Sequence, residues 1–159
     1  VGKTLVYATG GVLGNQQNNL NSTKTLGMSI NIEAEMNLTD NVFYFYIDDA
    51  YCGGYAWVFP NGTNRWNIGV WQKGDFRSLK ENFEQFYANT LSNKVTRFIS
   101  KESPKSGYIC CGNAEEYLKK DNVYYVGECA GFASDQNGEG IYQAVLSGIT
   151  AATDICNNS

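Results

Sequence analysis

Histidine is absent from this 159-residue sequence, and its five cysteines are irregularly spaced. Without histidine the chain can build neither a histidine-based catalytic triad nor a histidine metal site, so any general acid or base must be another residue type. No two cysteines stand in a CxxC arrangement, which argues against zinc and thioredoxin-like motifs. We therefore predict no metal ligand, and reduced thiols in a cytosolic protein are the simplest interpretation.

Long apolar runs and an excess of positive charge are also missing. No run approaches the length that a bilayer requires, so we predict no transmembrane segment. The net charge of −4 and the lack of a basic cluster argue against nucleic acid as a partner. The length and a hydrophobic content of 43% fit a folded chain with a real core. We predict a cytoplasmic protein, with peripheral attachment to a membrane left open.

The most informative stretch, Asn122 to Gly148, combines a strand, a glycine-rich turn and a helix. Val123–Val126 is a short apolar run with β-branched and aromatic residues, typical of a buried strand. Glycines follow, which let backbone amides approach a ligand closely, and Glu128 stands directly after the strand. Spacings of three and four then predict a helix with one apolar face, formed by Ile141, Ala144, Val145, Gly148, Ile149, Ala152 and Ile155.

The segment VGECAGFASDQNGEGIYQAVLSG resembles the second FAD-binding motif of para-hydroxybenzoate hydroxylase-type flavoproteins. It is most similar to the geranylgeranyl reductase-like branch, whose approximate pattern is hhhVGDAAGhhxPxxGEGIxxAhxSG, with h apolar. The resemblance implies that Glu128, which replaces the family's aspartate, contacts the ribityl chain of FAD, and that the helix start points at the flavin. Cys129 replaces the usual alanine. The cofactor-binding residues that this resemblance implies are Gly127, Glu128, Ala130, Gly131, Gly138, Gly140 and Ile141.

A weaker resemblance lies near the start of the chain. Thr4–Gly10, TLVYATG, is similar to the strand that closes the FAD-binding sheet in two-dinucleotide flavoproteins, which adds Gly10 to the implied cofactor site. Lys3–Ala8 is therefore predicted as a strand, and the polar segment 12–24 is predicted as a loop. Thr25–Met36 alternates like a strand, and Val42–Ile47 is a second one. We expect these two strands to form an antiparallel hairpin.

The segment GYAWVFPNGTNRWNIGV predicts a further hairpin, with Asn61-Gly62 in its turn. Tyr55, Trp57 and Phe59 share one face by the two-residue period. The segment is similar to the pattern GYxWhFPxGxxxxNhGh of geranylgeranyl reductase-like proteins, which implies that these three aromatics border the cavity for an apolar substrate. The alternative is that they merely pack the sheet against a helix.

Together these patterns predict an α+β fold: an antiparallel substrate-domain sheet with covering helices, plus the C-terminal strand–loop–helix of an FAD-binding domain. An apolar helical stripe after Gly74 supplies one covering helix, and short strands follow around 95–100 and 107–111. We expect residues 1–20 and 112–159 to be the remnant of the FAD-binding domain. Residues 21–111 are expected to form the substrate-binding sheet domain.

No strand–GxGxxG–helix unit is visible, so a nucleotide-binding segment that precedes this region in the family is missing from the sequence. The resemblance implies a fragment of an FAD-dependent oxidoreductase that reduces or dehydrogenates carbon–carbon bonds of a small apolar, isoprenoid-like substrate. NAD(P)H or another donor would supply electrons, and the fragment alone is expected to be inactive. Two alternatives stay open: a flavin monooxygenase or hydroxylase of the same fold, and a non-catalytic ligand-binding module. No catalytic acid or base is identified.

Overall fold

The computed structural model describes residues 3–11, 25–74, 76–99, 104–112 and 119–158. The predicted loop 12–24 lies outside these residues. In chain order the elements are β1 (Leu5–Tyr7), β2 (Thr25–Met36), β3 (Tyr44–Tyr46), β4 (Tyr55–Pro60), β5 (Arg65–Lys73), α1 (Phe76–Phe86), β6 (Val95–Phe98), β7 (Lys105–Cys111), β8 (Lys119–Lys120), β9 (Val123–Tyr125) and α2 (Ile141–Asn157). This mixture of an antiparallel sheet and helices confirms the predicted α+β class.

The chain divides into two compact units. The first comprises Val1–Gly27 with Tyr108–Ser159, and the second comprises Met28–Gly107. In the first unit, β1, β9 and β8 form a three-stranded sheet in that order. β1 and β9 are parallel, and the rings of Tyr7 and Tyr125 stack at 5.2 Å where the two strands end. Aromatic pairs at directly opposed positions are a common source of sheet stability.

Helix α2 packs on this small sheet through a narrow contact. Tyr124, Val126 and Ala151 form a buried cluster, against which Ile155 also packs. The apolar face that the sequence predicts is present, but most of it is turned to solvent: Ile141 is 81% exposed and Ile149 is 59% exposed. Periodicity identifies a helix face, whereas burial depends on what lies opposite that face.

The second unit is built on a larger sheet with the order β3-β4-β5-β2-β6, and β7 also pairs with β2. The predicted alternation of β2 is confirmed, because its even-numbered side chains from Met28 to Met36 are buried. They share one core with Ala56 and Val58 of β4 and with Trp66, Ile68 and Val70 of β5. Helix α1 covers this core with Leu79, Phe83 and Phe86.

The predicted hairpin of β2 and β3 is wrong. β3 lies at the edge of the sheet beside β4, and β2 lies between β5 and β6. β3 is also shorter than the predicted Val42–Ile47, and its central Phe45 is directly opposite Trp57. Alternation identifies strands but not their neighbours. The observed pairing of β3 with β4 places two aromatic residues opposite each other, a kind of pair that stabilises sheets.

The hairpin of β4 and β5 is confirmed, including its turn. The amide of Asn61 donates to the carbonyl of Arg65 at 2.7 Å, and the amide of Arg65 donates to the carbonyl of Gly62 at 3.2 Å. Gly62 has φ +103° and Asn64 has φ 56°, conformations that glycine and asparagine tolerate best.

Candidate functional site

The first candidate site lies where β9 ends. Val126 is extended, and Gly127–Ala130 then form a single 3-10 turn. Gly127 has φ +67° and donates its amide to Ser147 Oγ of α2 at 2.9 Å. Gly131 closes the turn in the left-handed region, with φ 80°, and its amide donates a hydrogen bond of 2.8 Å to the carbonyl of Glu128. The two glycines therefore permit a bend that a side chain would strain.

The turn holds the Glu128 carboxylate in a half-buried position. Its Oε1 accepts a hydrogen bond from the amide of Cys110 at 3.1 Å. Gly11 lies against the same oxygen, since a Cβ placed there would be only 2.2 Å from Oε1. Cys110, in the part of β7 that belongs to the first unit, and Gly11, in the turn after β1, therefore both lie against this carboxylate oxygen.

The loop from Gly131 to the start of α2 is folded by its own backbone. The amide of Ser134 donates to the carbonyl of Glu139 at 2.7 Å, and the amide of Gly138, at φ +70°, donates to the carbonyl of Ser134 at 2.9 Å. Glu139 Oε1 accepts from the amide of Tyr142 at 3.0 Å. One amide of the first helical turn is therefore occupied by the chain's own carboxylate.

A cavity of about 290 Å³ lies inside this arrangement, lined by Ile109, Glu128, Ala133, Gly138, Gly140, Ile141 and Ala144. Four implied cofactor-binding residues therefore line it: Glu128, Gly138, Gly140 and Ile141. A volume near the lower end of ligand-site sizes suits part of a dinucleotide rather than all of it.

The other implied cofactor-binding residues do not line this cavity. Gly127, Ala130 and Gly131 are buried in the turn, and Gly10 follows β1 with φ +70°. The sequence interpretation missed Ile109, Ala133 and Ala144 as lining residues. Ala133 and Ala144 lie inside the segment quoted above, and their small side chains could have indicated that a ligand can approach the backbone there. Ile109 belongs to β7, and the sequence periodicity does not indicate that this strand lies beside the cavity.

The second candidate site is the outer face of the large sheet in the other unit. Tyr55, Trp57 and Phe59 share this face, while Ala56 and Val58 point into the core. Ring contacts of 4.9–6.0 Å join them to one another, to Phe43 directly before β3, to Phe45 on β3 and to Trp71 on β5. The aromatic wall formed in this way consists of Phe43, Phe45, Tyr55, Trp57, Phe59 and Trp71.

Burial increases across the aromatic wall from the edge of the sheet inwards. Phe43 and Phe45 are 61% and 58% exposed, whereas Trp57 and Trp71 are 8% and 2% exposed. Burial also raises the pKa of Tyr55, so its hydroxyl stays protonated at physiological pH. The accessible part of the wall therefore consists of Phe43, Phe45 and the half-buried Tyr55 and Phe59. Aromatic and apolar side chains of this kind line most small-molecule sites.

Trp57 is held in one orientation by residues that the sequence interpretation did not assign to the site. Its Nε1 donates to Asn67 Oδ1 at 2.7 Å, and Asn67 Nδ2 donates to Asn31 Oδ1 at 3.2 Å. The indole lies across Gly69, where a Cβ would be 2.3 Å from Trp57 Cζ2 and 2.6 Å from the carbonyl oxygen of Ile30. Asn67 and Gly69 belong to the sequence pattern quoted above. Asn31 lies 36 positions before Asn67, and nothing in the sequence indicates that the two side chains meet.

The described part of the chain contains no group of three or more cysteine or acidic side chains placed to hold a metal ion. Of its helices, none combines the length and the apolar character needed to cross a bilayer.

Residues 15–106, more than half of the chain, match the model of the geranylgeranyl reductase catalytic domain family. The chain belongs to this family. The resemblance noted in the sequence is therefore confirmed, and the matched region contains the whole aromatic wall.

Two proteins with similar sequences are both named digeranylgeranylglycerophospholipid reductases. Digeranylgeranylglycerophospholipid reductase 3 of Methanosphaera stadtmanae is 32% identical over 114 residues, which cover 70% of this chain and 28% of the relative. The digeranylgeranylglycerophospholipid reductase of Methanocaldococcus jannaschii is 30% identical over 115 residues, with coverages of 72% and 29%. The chain therefore spans less than a third of the length of these curated relatives.

Solved structures extend the similarity of fold. A geranylgeranyl bacteriochlorophyll reductase-like protein from Thermoplasma acidophilum superposes with a TM-score of 0.79 at 20% identity, covering 96% of this chain and 40% of that one. A flavin-dependent halogenase from Xanthomonas campestris gives a TM-score of 0.64 at 13% identity, with coverages of 96% and 30%. At these identities the likeness establishes the fold alone.

Proposed function

We propose that the chain is part of an FAD-dependent reductase that acts on carbon–carbon double bonds of an apolar, isoprenoid-like substrate. The observation that carries this proposal is the match to the geranylgeranyl reductase catalytic domain over a region that contains the aromatic wall. The names of the relatives, digeranylgeranylglycerophospholipid reductases, support a lipid with isoprenoid chains as the substrate. Tyr55, Trp57 and Phe59 would hold the apolar chain.

The glycine-lined site fits part of an FAD molecule. Its cavity has one carboxylate, Glu128, and otherwise small or apolar lining, so a flat or extended ligand can lie close to the backbone. Glu128 Oε1 is anchored by the Cys110 amide, which leaves further acceptor capacity on the carboxylate for ligand hydroxyls. The residues that would bind or shape the cofactor site are Gly10, Gly127, Glu128, Ala130, Gly131, Gly138, Gly140 and Ile141.

FAD, when bound, supplies hydride transfer to or from a carbon–carbon bond, with NAD(P)H or another donor restoring its electrons. The chain's own contribution is positional. Glu128 would orient the cofactor through its carboxylate, and Trp57, fixed by Asn67, would orient the substrate chain. A substrate chain lying on the wall would be shielded from water on the side that contacts the rings. Residues 1–20 and 112–159 would bind FAD and residues 21–111 would bind the substrate, except that Ile109 and Cys110 lie at the FAD cavity.

A glycine-rich nucleotide-binding segment would complete the FAD site. Three features support this. The cavity is small for a dinucleotide. β1 is an edge strand of a partly parallel sheet with Leu5 and Val6 exposed, and parallel sheets are normally covered on both faces. The face of α2 around Val145 is apolar and exposed. The chain alone should therefore bind FAD weakly and be inactive.

The test compares FAD binding by this chain with binding by a longer protein that joins it to a strand–GxGxxG–helix segment of the family type. Titration of flavin fluorescence should give tight, stoichiometric binding only for the longer protein. Failure of the longer protein to bind FAD would contradict the proposal and favour a non-catalytic ligand-binding module.

We also propose that the protein touches membranes peripherally, at apolar side chains around β3. Val42, Phe43, Phe45 and Ile47 are exposed, Ile47 at 86%, and a lipid substrate resides in a bilayer. Neighbouring Asp48 and Asp49 are also exposed, which favours zwitterionic over anionic lipid. Flotation with phosphatidylcholine vesicles should recover the chain, and Phe43→Ser with Ile47→Ser should reduce recovery. Equal recovery of the variant would contradict this assignment.

A further inference from the structure

Two tryptophans of the aromatic wall differ in the state of their indole N–H groups. Trp57 Nε1 donates to Asn67 Oδ1 at 2.7 Å. Trp71, on the same face and 2% exposed, has a fully buried Nε1. Within the described residues, that nitrogen is the one buried side-chain nitrogen or oxygen with no hydrogen-bond partner.

Such a group calls for an explanation, because nearly all buried polar atoms in folded proteins are paired. An unpaired buried donor costs its full desolvation free energy, so a sequence that only needed a large ring here would do better with phenylalanine. The partner is also restricted in kind. An indole N–H donates and cannot accept, so whatever satisfies it must carry an acceptor, in practice an oxygen.

The surroundings of Trp71 limit where that oxygen can come from. Trp71 is directly opposite Tyr55 in the β4–β5 hairpin, and their rings lie 5.9 Å apart at 45°. Its backbone is tightly packed, since a Cβ on Gly54 would be 1.9 Å from the Trp71 carbonyl oxygen. On the outer face of the sheet the Tyr55 ring lies against the indole and is only partly buried. A ligand that approached Trp71 from this face would require the Tyr55 ring to move.

We propose that Trp71 determines substrate specificity by donating its indole N–H to an oxygen of an otherwise apolar substrate, such as a hydroxyl, ether or ester oxygen. This inference rests on the proposed function, because it places the substrate on the aromatic wall. It adds that the wall recognises an oxygen at the end of the isoprenoid chain as well as the hydrocarbon. A site built to pair a buried donor discriminates against an analogue that lacks the acceptor.

The experiment uses this chain with two probes, geranylgeraniol and the hydrocarbon of the same carbon skeleton without the hydroxyl, both presented in the same detergent micelles. The sequence has 3 tryptophans, so a ¹⁵N-labelled sample gives few indole N–H signals to follow by NMR. Trp57→Phe and Trp66→Phe variants assign the signals by subtraction. Trp66 points into the core on the opposite face of the sheet, which makes it an internal reference.

Geranylgeraniol should move the Trp71 indole proton downfield, and the hydrocarbon should not. The Trp57 indole proton, already bonded to Asn67, should keep its hydrogen-bonded shift with both probes. In fluorescence titrations the chain should bind the alcohol about 3- to 10-fold more tightly than the hydrocarbon, the usual net effect of one hydrogen bond. Trp71→Phe should abolish that preference, whereas Trp66→Phe, in the core on the opposite face of the sheet, should retain it.

The outcomes separate this inference from the proposed function. If both probes bind but move the Trp71 proton equally, or if Trp71→Phe keeps the preference for the alcohol, the specificity role is wrong while the apolar wall stands. If neither probe binds, the wall is not a substrate surface and both proposals fail. The NMR result on the unsubstituted chain remains decisive even where Trp71→Phe does not fold.

Discussion

The two units of this chain build their candidate sites from different materials. The glycine-lined cavity around Glu128 is made of backbone and small side chains, and it stands beside a helix whose apolar face is open to solvent. The aromatic wall is made of large side chains on a sheet that has its own core beneath helix α1. The sheet of the second unit is therefore stabilised by a core within the described residues. The first unit instead exposes an apolar helix face that a further segment can cover.

The largest expected difference is between two isoleucines of the same size. Ile68 is fully buried in the core of the second unit and Ile149 is 59% exposed on α2. Ile68→Ala should lower the free energy of unfolding by about 2–5 kcal/mol, the cost of a cavity in a core. Ile149→Ala should change it by less than about 0.5 kcal/mol. Urea unfolding of both variants measures this.

The same two substitutions, Ile68→Ala and Ile149→Ala, can be compared in the longer protein by their effect on the free energy of unfolding. If a nucleotide-binding segment covers α2, Ile149→Ala should become destabilising there, while the effect of Ile68→Ala should not change. An effect of Ile149→Ala as large as that of Ile68→Ala in this chain alone would contradict the view that the helix face is uncovered.

Glu128 tests whether the backbone-made cavity holds the cofactor. Glu128→Ala in the longer protein should weaken FAD binding about 10- to 100-fold, because a hydrogen bond to a charged group is worth about 1.5–3 kcal/mol. Asp135→Ala, an exposed carboxylate in the same loop, is the matched control and should leave affinity unchanged. Fluorescence titration with FAD measures both, and equal affinities would remove Glu128 from the site.

Gly69 tests the wall in the same way. Gly69→Ala should displace the Trp57 indole and destabilise the chain by about 1–3 kcal/mol, because the new Cβ would meet both the ring and the carbonyl of Ile30. Gly107→Ala is the control, since a Cβ there has no atom within 4 Å. Unfolding curves with tryptophan fluorescence report both stability and ring position. Unchanged emission in Gly69→Ala would show that Trp57 is not held against this glycine.

The smallest effect concerns an ion pair on the first unit. Lys119 Nζ lies 2.8 Å from Asp154 Oδ2, and Tyr124 also donates to that oxygen. The hydrogen bond from Lys119, with a second from Tyr124, lowers the pKa of Asp154 below its usual value. A lowered folded-state pKa contributes stability above the unfolded pKa, about 3.9, and loses it as pH falls through the folded value.

Asp154→Asn should therefore lower Tm near pH 6 by a small amount, since the two side chains are 42% and 38% exposed and solvent screens the pair. The difference from the unsubstituted chain should shrink as pH falls below about 4. The pair of Arg97 and Glu35 in the second unit, which likewise lowers the pKa of Glu35, is the matched comparison through Glu35→Gln. A Tm difference that does not depend on pH would contradict the linkage.

The sequence was informative wherever a local rule decides the outcome. Alternation located β2, the Asn61-Gly62 turn located the β4–β5 hairpin, and three- and four-residue spacing located both helices. It failed where the outcome depends on distant partners. Nothing local indicates that β2 lies away from β3, that Asn31 supports Asn67, or that Ile141 and Ile149 face solvent. For the same reason the sequence predicts that Tyr55, Trp57 and Phe59 share one face. It does not predict the contacts that hold Trp57 in place or the unpaired indole N–H of Trp71.

The most direct test of the proposed reduction is the mass of the product. The longer protein, loaded with FAD, supplied with a reductant and exposed to O₂, should convert a geranylgeranyl lipid to species that gain pairs of hydrogen atoms and no oxygen. A product that gains oxygen would identify a hydroxylase on the same fold and contradict the proposal that this chain belongs to a reductase of carbon–carbon double bonds.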